Sequence, residues 1–332
     1  MILTQTPLRV SLFGGGTDYP EWFQEHGGAV LGMAIDKYCY VGVKPMPPGQ
    51  LGADGAPLRY RVQYSKVDDC QRVEDIRHPA VRAAVRYFNT DQALEFHCFG
   101  DLPGRSGLGS SSSFTVGLLH ALQHQLGLSN HVPLLDLARE AIPFEQHVIR
   151  EAVGCQDQIF AAVGGLRFIT FDVTQTQVET VSIPEDRLAE LENSLVLVYS
   201  GSMRDAHLMA AQQVARVKQN TRLLLELQRQ AHTGHMILTD PHFPLLGIGK
   251  LLDHTWWLKR ELHPEISNPE IDALYHRGIR LGAVGGKLLG AGGGGFFLFF
   301  VPPECREAFE KSIGAPCVHF HVVHTGSRVI VS

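Results

Sequence analysis

The sequence lacks the features of several protein classes. Its longest strongly apolar run, residues 296–301, is far too short to cross a bilayer, and no basic-then-apolar leader opens the chain. Six scattered cysteines include no Cys-x-x-Cys pair, which argues against a disulfide framework or a cysteine zinc site. With 29 Lys and Arg against 34 Asp and Glu, no basic excess suggests nucleic-acid binding. We expect a soluble cytoplasmic protein without nucleic-acid or membrane partners.

Glycine and serine are concentrated in one segment, residues 103–113, which we call the phosphate loop. It reads Pro-Gly-Arg-Ser-Gly-Leu-Gly-Ser-Ser-Ser-Ser, directly ahead of apolar residues at helical spacing. The start of a helix leaves N–H groups unpaired, so small residues there let a phosphate approach them. Serine hydroxyls add donors and a possible magnesium ligand. A plain Ser-capped helix would explain one glycine and one serine, but not the rest.

Two better-known glycine signatures do not hold. Residues 104–109 have the spacing of a Walker A motif, but Ser110 stands where that motif requires lysine. Residues 290–295 satisfy Gly-x-Gly-x-x-Gly, yet these glycines precede an aromatic strand instead of joining a strand to a helix. We therefore expect neither a P-loop NTPase nor a Rossmann domain.

Three carboxylates are candidates for the chemistry of the site. Asp18 follows a glycine loop, residues 14–16, and either accepts hydrogen bonds from sugar hydroxyls or caps the next helix. Asp157 follows Gly154 in an apolar neighbourhood, and Glu145 lies on a helix predicted over 133–151. Beside a phosphate loop, one carboxylate can hold magnesium and another can orient an attacking hydroxyl. Without that loop, a helix N-cap and a solvated helix face would be the simpler interpretations.

Together these segments resemble the three motifs of the GHMP kinases, which include galactokinase, homoserine kinase and mevalonate kinase. The matching segments are residues 9–19, 103–113 and 287–295, with the family's aspartate inside 154–158. The resemblance implies an α+β chain of two domains. Residues 1–185 would resemble ribosomal protein S5 domain 2 and residues 186–332 would be ferredoxin-like, with the site between them. ATP and Mg²⁺ are the implied cofactors.

The resemblance also implies residue roles. Asp157 is the candidate base, Arg9 is its partner, and Glu145 with Ser111 would hold magnesium. The residues implied to contact ATP phosphates are Pro103, Gly104, Arg105, Ser106, Gly107, Leu108, Gly109, Ser110, Ser111 and Ser112. Those implied to contact the substrate are Gly15, Gly16, Thr17, Asp18, Tyr19, Arg204, Lys287, Gly292, Gly293 and Gly294.

Within the family, the Gly-Gly-Gly-Thr-Asp-Tyr start, residues 267–272 and the third motif are most similar to kinases of D-glycero-D-manno-heptose 7-phosphate. That resemblance implies ATP-dependent phosphorylation of the anomeric hydroxyl, on the way to nucleotide-activated heptose for bacterial surface polysaccharide. Cys155 departs from the pattern, because lysine is common at its position. Kinases of unphosphorylated fucose or galactose, and a sugar- and ATP-binding regulator without catalysis, stay open as alternatives. The sequence leaves the oligomeric state open.

A substrate that already carries a phosphate demands cations in its site. The candidates in or near motif segments are Arg105, Arg204, Lys259, Arg260 and Lys287. Two further patterns have simpler explanations than a ligand site. We expect Trp256 and Trp257 to belong to a core or a domain seam, and the His-x-His-x-x-His pattern at 319–324 to be a half-buried strand rather than a zinc site.

Overall fold

The computed structural model describes residues 1–52, 55–128, 132–201 and 206–332, which form two sheets with helices around them. The strands are β1 (Ile2–Phe13), β2 (Gly28–Pro45), β3 (Tyr60–Gln63), β4 (Val67–Cys70), β5 (Leu94–Gly100), β6 (Leu166–Phe171), β7 (Thr176–Thr180), β8 (Leu195–Tyr199), β9 (Gly285–Leu288), β10 (Phe296–Phe300), β11 (Cys317–Val318) and β12 (Arg328–Val331). The α-helices are α1 (Pro20–His26), α2 (Pro79–Tyr87), α3 (Ser110–Gln125), α4 (Leu134–Pro143), α5 (Gln156–Val163), α6 (Glu185–Ser194), α7 (Ala206–Val214), α8 (Thr221–Thr239), α9 (Leu246–Leu262), α10 (Pro269–Arg280) and α11 (Pro303–Ser312).

The first sheet is built on a long antiparallel hairpin of β1 and β2, paired from Ile2 opposite Val43 to Phe13 opposite Leu31. Its strand order is β12-β1-β2-β5-β3-β4, with β6 pairing β2 and β7 pairing β6. Helices α3, α5 and α8 pack on β1, and the second half of that strand is buried without interruption. The hairpin carries residues 14–19, the first glycine loop, to the edge of a cleft.

Helix α3 places the phosphate loop. The helix is held against the sheet by small residues, since the Thr4 hydroxyl donates to the Gly117 carbonyl at 3.0 Å and the Ser113 hydroxyl donates to the Pro7 carbonyl at 2.8 Å. A Cβ at Gly117 would lie 2.8 Å from Oγ1 of Thr6, so only glycine allows this close packing. The N-terminus of α3 therefore points into the cleft from a rigid support.

The second sheet has the order β11-β8-β10-β9, all antiparallel. Phe296 pairs with Tyr199 at one end of β10, and Phe300 pairs with Leu195 at the other. All five residues of β10 are buried, which agrees with a strand covered on both faces. Helix α9 packs on β9 and β10, and the loop between those two strands faces the phosphate loop.

The end of the chain returns to the first sheet. Strand β12 pairs antiparallel with β1, with Arg328 opposite Gln5. Just before it, the Ser327 hydroxyl contacts the Thr6 hydroxyl at 2.9 Å and Nδ1 of His120 at 3.0 Å. Burial and the neighbouring His124 lower the pKa of His120 to about 4, so this ring is neutral at physiological pH. The return strand is thus fastened by a buried polar network.

Several local predictions need correction. The apolar spacing of residues 206–231 predicts one helix, whereas the structure has two, because in the intervening turn, 215–220, Val217 alone is buried and no apolar face supports a regular helix. The sequence pattern also predicts a strand over 316–323, but only β11 forms, since the chain leaves the second sheet there and Val322 forms a bridge to Ile35. The helix predicted to reach residue 151 ends as α at Pro143 and continues as a π-helical turn, Phe144–Ile149.

The structure answers the predictions for the tryptophan pair and for the histidine pattern at 319–324 in different ways. Trp256 is fully buried, whereas Trp257 is 45% exposed with the Arg260 guanidinium 4.8 Å from its ring centre. His319 and His321 pair with glutamates, and the described residues include no cluster of three or more potential His, Cys, Asp or Glu metal ligands.

Among the residues that the structure describes, no helix combines the length and apolar character needed to span a membrane.

Candidate active site

A cleft of about 730 Å³ lies between the two sheets. It is lined by parts of the first glycine loop and the phosphate loop, by residues 151–154, Gln156 and Asp157, by helices α7 to α9 and by residues of the loop between β9 and β10. We call residues 287–295 the closing loop. The cleft therefore brings together all three motif segments predicted from the sequence.

An ion pair between Arg9 and Asp157 stands in the middle of the cleft. Nε and Nη2 of Arg9 donate to the two carboxylate oxygens of Asp157 at 2.8 and 2.7 Å, and Nη1 donates to the Gly107 carbonyl at 2.6 Å. The Arg9 side chain is 7% exposed and that of Asp157 is 24% exposed. A bidentate pair fixes both groups in orientation. Asp157 thus presents a positioned carboxylate to the cleft, and Arg9 ties it to the phosphate loop.

The phosphate loop lies at the N-terminus of α3, as its sequence predicts. Gly107 and Gly109 have φ of +84° and +73°, and the serines that follow begin the helix. Seven of its predicted phosphate-contacting residues line the cleft: Gly104, Arg105, Gly107, Gly109, Ser110, Ser111 and Ser112. Pro103, Ser106 and Leu108 are outside that lining, and the Leu108 side chain is core. The loop therefore offers backbone N–H groups, hydroxyls and one exposed cation.

The closing loop touches the phosphate loop backbone to backbone. The Phe296 N–H donates to the Ser106 carbonyl at 3.0 Å. A Cβ at Gly295 would lie 2.3 Å from that carbonyl oxygen, and a Cβ at Gly290 would lie 2.5 Å from Cα of Gly107. There is no room for side chains at this contact. The second half of the chain thus covers the phosphate loop directly.

Not all of the predicted substrate glycines face the cleft. The closing loop presents Gly290 and Ala291 to it, whereas the Gly293 N–H donates to the Ile266 carbonyl at 3.0 Å and a Cβ on Gly292 would meet Ile266. Gly294 is also outside the lining. Contact with Ile266 holds Gly292 and Gly293 on the far side of the loop, which the run of four glycines in the sequence does not reveal.

The first glycine loop presents Gly15, Gly16, Asp18 and Tyr19 to the cleft. Asp18 is 2% exposed and accepts from the Gly16 and Gln156 N–H groups at 3.1 and 3.2 Å. Burial and the nearby Asp157 raise its pKa, and burial raises the pKa of Tyr19. Thr17, by contrast, points away from the cleft, where its hydroxyl donates to the Gly14 carbonyl at 2.8 Å. It holds the loop in shape.

Two polar side chains in the cleft were not predicted. Oγ of Ser11 and Oε1 of Gln156 are buried, and neither has a hydrogen-bond partner within the described chain. Such groups call for a polar ligand, because burial without a partner is costly. Strand periodicity could have pointed to Ser11, because it lies two residues after Arg9 on β1 and therefore on the same face of the strand.

Glu145 is fully buried beside the start of α3. The Ser112 hydroxyl donates to its Oε2 at 2.8 Å and the Gln158 amide donates to the same oxygen, while Oε1 has no partner among the described residues. Burial raises its pKa to about 7. An unpartnered carboxylate oxygen next to hydroxyls and the N-terminus of α3 fits Mg²⁺. Ser112 contacts Glu145, and Ser111 lies exposed on the cleft wall.

The predicted cations separate into three groups. Arg105, Lys259 and Lys287 line the cleft. Nζ of Lys287 donates to the Leu12 carbonyl at 2.7 Å, and Nζ of Lys259 donates to the Leu288 carbonyl at 2.7 Å. Arg260 is outside the cleft lining and pairs with Asp272 at 3.1 Å. Arg204 lies outside the described residues.

Cys155, the position at which the sequence departs from the heptose kinase pattern, has its side chain buried outside the cleft. The residue is 5% exposed, and its thiol accepts from the Gln146 amide at 3.6 Å. Burial raises the pKa of the thiol to about 12, so it stays protonated at physiological pH.

A phosphate loop, a carboxylate fixed by an arginine and a covering glycine loop define a phosphotransferase site. The model of the GHMP kinase N-terminal domain matches residues 76–165, and that of the GHMP kinase C-terminal domain matches residues 244–318. The chain belongs to the GHMP kinases. It is a phosphotransferase with a hydroxyl group as acceptor, in a family that uses ATP.

The chain is most usefully compared with two sugar kinases. D-glycero-alpha-D-manno-heptose 7-phosphate kinase of Campylobacter jejuni is 29% identical over 321 residues, which cover 94% of this chain and 93% of that protein. The bifunctional fucokinase/GDP-fucose pyrophosphorylase of Arabidopsis thaliana is 28% identical over 92% of this chain, which spans only 31% of that longer protein. A sugar kinase of the GHMP family is therefore the class to which the chain belongs.

Solved structures agree on the fold. A D-glycero-D-manno-heptose 1-phosphate kinase from Bacteroides thetaiotaomicron superposes with a TM-score of 0.71 at 21% identity, covering 100% of this chain and 99% of that one. Galactokinase of Lactococcus lactis superposes with a TM-score of 0.73 at 18% identity, covering 98% and 94%. The predicted two-domain GHMP kinase fold is confirmed.

Proposed function

We propose that this protein is an ATP-dependent kinase that phosphorylates the anomeric hydroxyl of D-glycero-D-manno-heptose 7-phosphate, giving the 1,7-bisphosphate. It would act in the cytoplasm, in the synthesis of nucleotide-activated heptose for bacterial surface polysaccharide. The observation that carries the proposal is the Asp157 carboxylate. Arg9 fixes it between a phosphate loop and a pocket of buried polar groups. The similarity to the Campylobacter jejuni heptose 7-phosphate kinase supports this choice of sugar.

The nucleotide would lie along the phosphate loop. Its phosphates would accept from the N–H groups at the start of α3 and from the hydroxyls of Ser110 and Ser111. The adenine base would stack against an aromatic group in the same cleft. There the ring centre of His78 lies 5.0 Å from that of Tyr64 and 4.8 Å from that of Phe114. Residues 1–185 would thus hold the nucleotide and the catalytic pair, and residues 186–332 would supply the cover.

In the proposed reaction the anomeric oxygen forms a bond to the γ-phosphorus as the bond between that phosphorus and the ADP oxygen breaks. Asp157 orients the hydroxyl and accepts its proton or passes it to solvent, and Arg9 keeps that carboxylate in place. Glu145, Ser112 and Ser111 are the residues that would hold Mg²⁺, which neutralises phosphate charge when bound. Positioning and electrostatics supply most of the rate in such a site.

The sugar would occupy the other side of Asp157. Asp18 would accept hydrogen bonds from its hydroxyls, and Ser11 and Gln156 would use their unpartnered oxygens in the same way. Because these three polar groups are buried, they favour a compact, enclosed polyol as substrate over an extended molecule. The first glycine loop packs closely on Gly154, since a Cβ at that position would lie 2.0 Å from Oδ2 of Asp18.

The proposal is tested by Mg²⁺-dependent ADP release against a sugar panel, with phosphorus NMR of the product. The panel holds D-glycero-D-manno-heptose 7-phosphate, sedoheptulose 7-phosphate, mannose 6-phosphate, mannose, fucose and galactose. We expect turnover with the heptose 7-phosphate and a new anomeric phosphate signal. Preferred turnover of free fucose or galactose would replace the proposal with a kinase of an unphosphorylated sugar, which the fucokinase similarity would then explain. ATP binding without turnover of any sugar would favour a regulator.

A further inference from the structure

Helix α9 contacts the closing loop through the long side chain of Lys259. Its Nζ donates to the Leu288 carbonyl at 2.7 Å and also to the Gly290 carbonyl, so one amine bridges two acceptors that stand two residues apart. Lys259 lines the cleft together with Gly290 and Ala291. The helix therefore holds the closing loop at the place where that loop leaves β9.

The second of these carbonyls belongs to the residue that packs on the phosphate loop. A Cβ at Gly290 would lie 2.5 Å from Cα of Gly107, and a Cβ at Gly107 would lie 2.6 Å from the Leu289 carbonyl oxygen. Both glycines have a positive φ, +68° and +84°, which side chains disfavour. The amine thus binds the closing loop directly behind its contact with the phosphate loop.

The same contacts continue to the ion pair in the middle of the cleft. The Gly107 carbonyl accepts from Nη1 of Arg9 at 2.6 Å, and the other two nitrogens of that guanidinium donate to Asp157. The contacts therefore form one series that starts at Lys259 and ends at Asp157. A bidentate ion pair depends on orientation, and a shift of about 1 Å in a reacting group can cost on the order of a hundredfold in rate.

The contact does not depend on the charge of the amine. Burial, together with the nearby charge of Arg9, lowers the pKa of Lys259 to about 7, so its neutral and charged forms coexist near neutral pH. A neutral amine keeps two N–H donors, and the two carbonyls of the closing loop are two acceptors. The environment of Lys259 therefore suits a side chain that holds backbone better than one that attracts an anion.

We propose that Lys259 is a positioning residue for phosphoryl transfer. Its hydrogen bonds to the Leu288 and Gly290 carbonyls hold the closing loop on the phosphate loop and thereby set the orientation of Asp157. This inference rests on the proposed function in one respect, the catalytic role of Asp157, and it is independent of which sugar is the acceptor. Because Lys259 acts through backbone, its loss should lower the rate of transfer more than the affinity for either substrate.

Steady-state kinetics of Lys259→Met test this role, with the sugar of the panel that the wild type turns over. Methionine keeps a long, flexible side chain but removes the donors. We expect kcat to fall roughly ten- to a hundredfold, with both KM values within about threefold of wild type. Lys250→Met is the matched control and should behave as wild type, because Lys250 is exposed on the same helix outside the cleft. A raised KM with unchanged kcat would overturn the inference. Thermal unfolding verifies that each variant is folded.

A double-mutant cycle distinguishes positioning through the closing loop from direct contact with the transferred phosphoryl group. Gly107→Ala disturbs the same loop contact from the opposite side, because its Cβ would meet the Leu289 carbonyl. If Lys259 acts through that contact, the double variant should have a kcat/KM within about threefold of the slower single variant. Losses that multiply would overturn the inference, since Lys259 would then act independently of the loop.

Hydrogen–deuterium exchange of the protein without substrates separates this inference from the proposed function. The Phe296 N–H donates to the Ser106 carbonyl, so its protection reports on the loop contact. Lys259→Met should speed exchange in residues 289–296 by roughly tenfold or more and leave helix α11 unchanged. Unchanged exchange in residues 289–296 would overturn the inference without affecting the proposed function. A wild type that turns over only another sugar of the panel would refute the proposed substrate and leave the inference, whereas no turnover of any sugar would refute both.

Discussion

The two walls of the cleft offer different kinds of groups to an anionic ligand. The phosphate loop uses helix N–H groups, hydroxyls and an exposed Arg105, so most of its binding capacity lies in backbone geometry. The wall built by the second half of the chain instead carries Lys259 and Lys287, buried side chains whose charge costs free energy before any ligand arrives. Substitutions that change one side chain should therefore be severe near these lysines and mild in the loop, unless they fill space that the backbone contact needs.

The largest effect is expected from Asp157→Asn, which removes the acceptor that stands between the two walls. The change should lower kcat by about 10² to 10⁴ and leave ATP binding intact, because the phosphate loop does not use this carboxylate. Steady-state kinetics and nucleotide titration measure the two quantities.

Asp91→Asn, at an exposed position far from the cleft, is the control for Asp157→Asn and should behave as wild type. Wild-type turnover in Asp157→Asn would remove the catalytic role. It would favour the non-catalytic alternative.

Two glycines of the phosphate loop sharpen the comparison, because they differ in what surrounds them and in backbone conformation. A Cβ at Gly107 would lie 2.6 Å from the Leu289 carbonyl, at a φ of +84°, whereas a Cβ at Gly104 would meet nothing within 4 Å. Gly107→Ala should push the closing loop away and lower kcat/KM by roughly ten- to a hundredfold. Gly104→Ala should remain within about twofold of wild type. Equal effects of the two changes would show that contact with the closing loop is not required.

The sequence was most informative where chemistry is local. The phosphate loop, Arg9 and Asp157 stand in contiguous motifs, and the structure brings all three together. The sequence was less informative where the position around a helix, or the conformation of a loop, decides which way a side chain faces. Adjacent residues on a helix point about 100° apart. That rotation turns Ser112 toward Glu145 while Ser111 faces the cleft, and it separates Lys259 from Arg260.

The same limit applies to the fold. Strand and helix patterns predicted both halves of the chain, because amphipathic periodicity follows from burial. The return of β12 to the first sheet could not be predicted, since it depends on a pairing between residues such as Gln5 and Arg328 at opposite ends of the sequence. The break between α7 and α8 was missed because residues 215–220 continue the helical composition without its buried face.

Glu145→Gln tests whether the Glu145 carboxylate, which is buried beside the start of α3, serves to bind a cation. Because burial raises the pKa of Glu145 to about 7, the folded state holds a proton that the unfolded state releases near pH 4.5, so stability falls as pH rises between these values. The variant escapes that cost and should be more stable than wild type by roughly 2 to 3 kcal/mol at pH 8 without divalent ions. The gain should shrink toward pH 5. Urea unfolding at both pH values measures it.

The same variant should lose function as it gains stability. Mg²⁺ with a non-hydrolysable ATP analogue should raise the Tm of the wild type at pH 8 more than that of Glu145→Gln, and Mg²⁺-dependent turnover should fall by about tenfold or more. Glu185→Gln, at an exposed position at the start of α6, is the control. A variant less stable than wild type at pH 8 would mean that the carboxylate is compensated within the protein and is not waiting for a cation.

The smallest effect is expected from Arg105→Ala. Its side chain is exposed at the cleft, and exposed cations gain little because water and salt screen them. KM for ATP should rise about three- to tenfold with kcat within about twofold, and the difference should narrow between about 20 and 300 mM salt. A large, salt-independent loss would instead mean that Arg105 becomes desolvated against the phosphates. The phosphate loop would then depend on a charged side chain as strongly as the opposite wall does, and the contrast between the two walls would not hold.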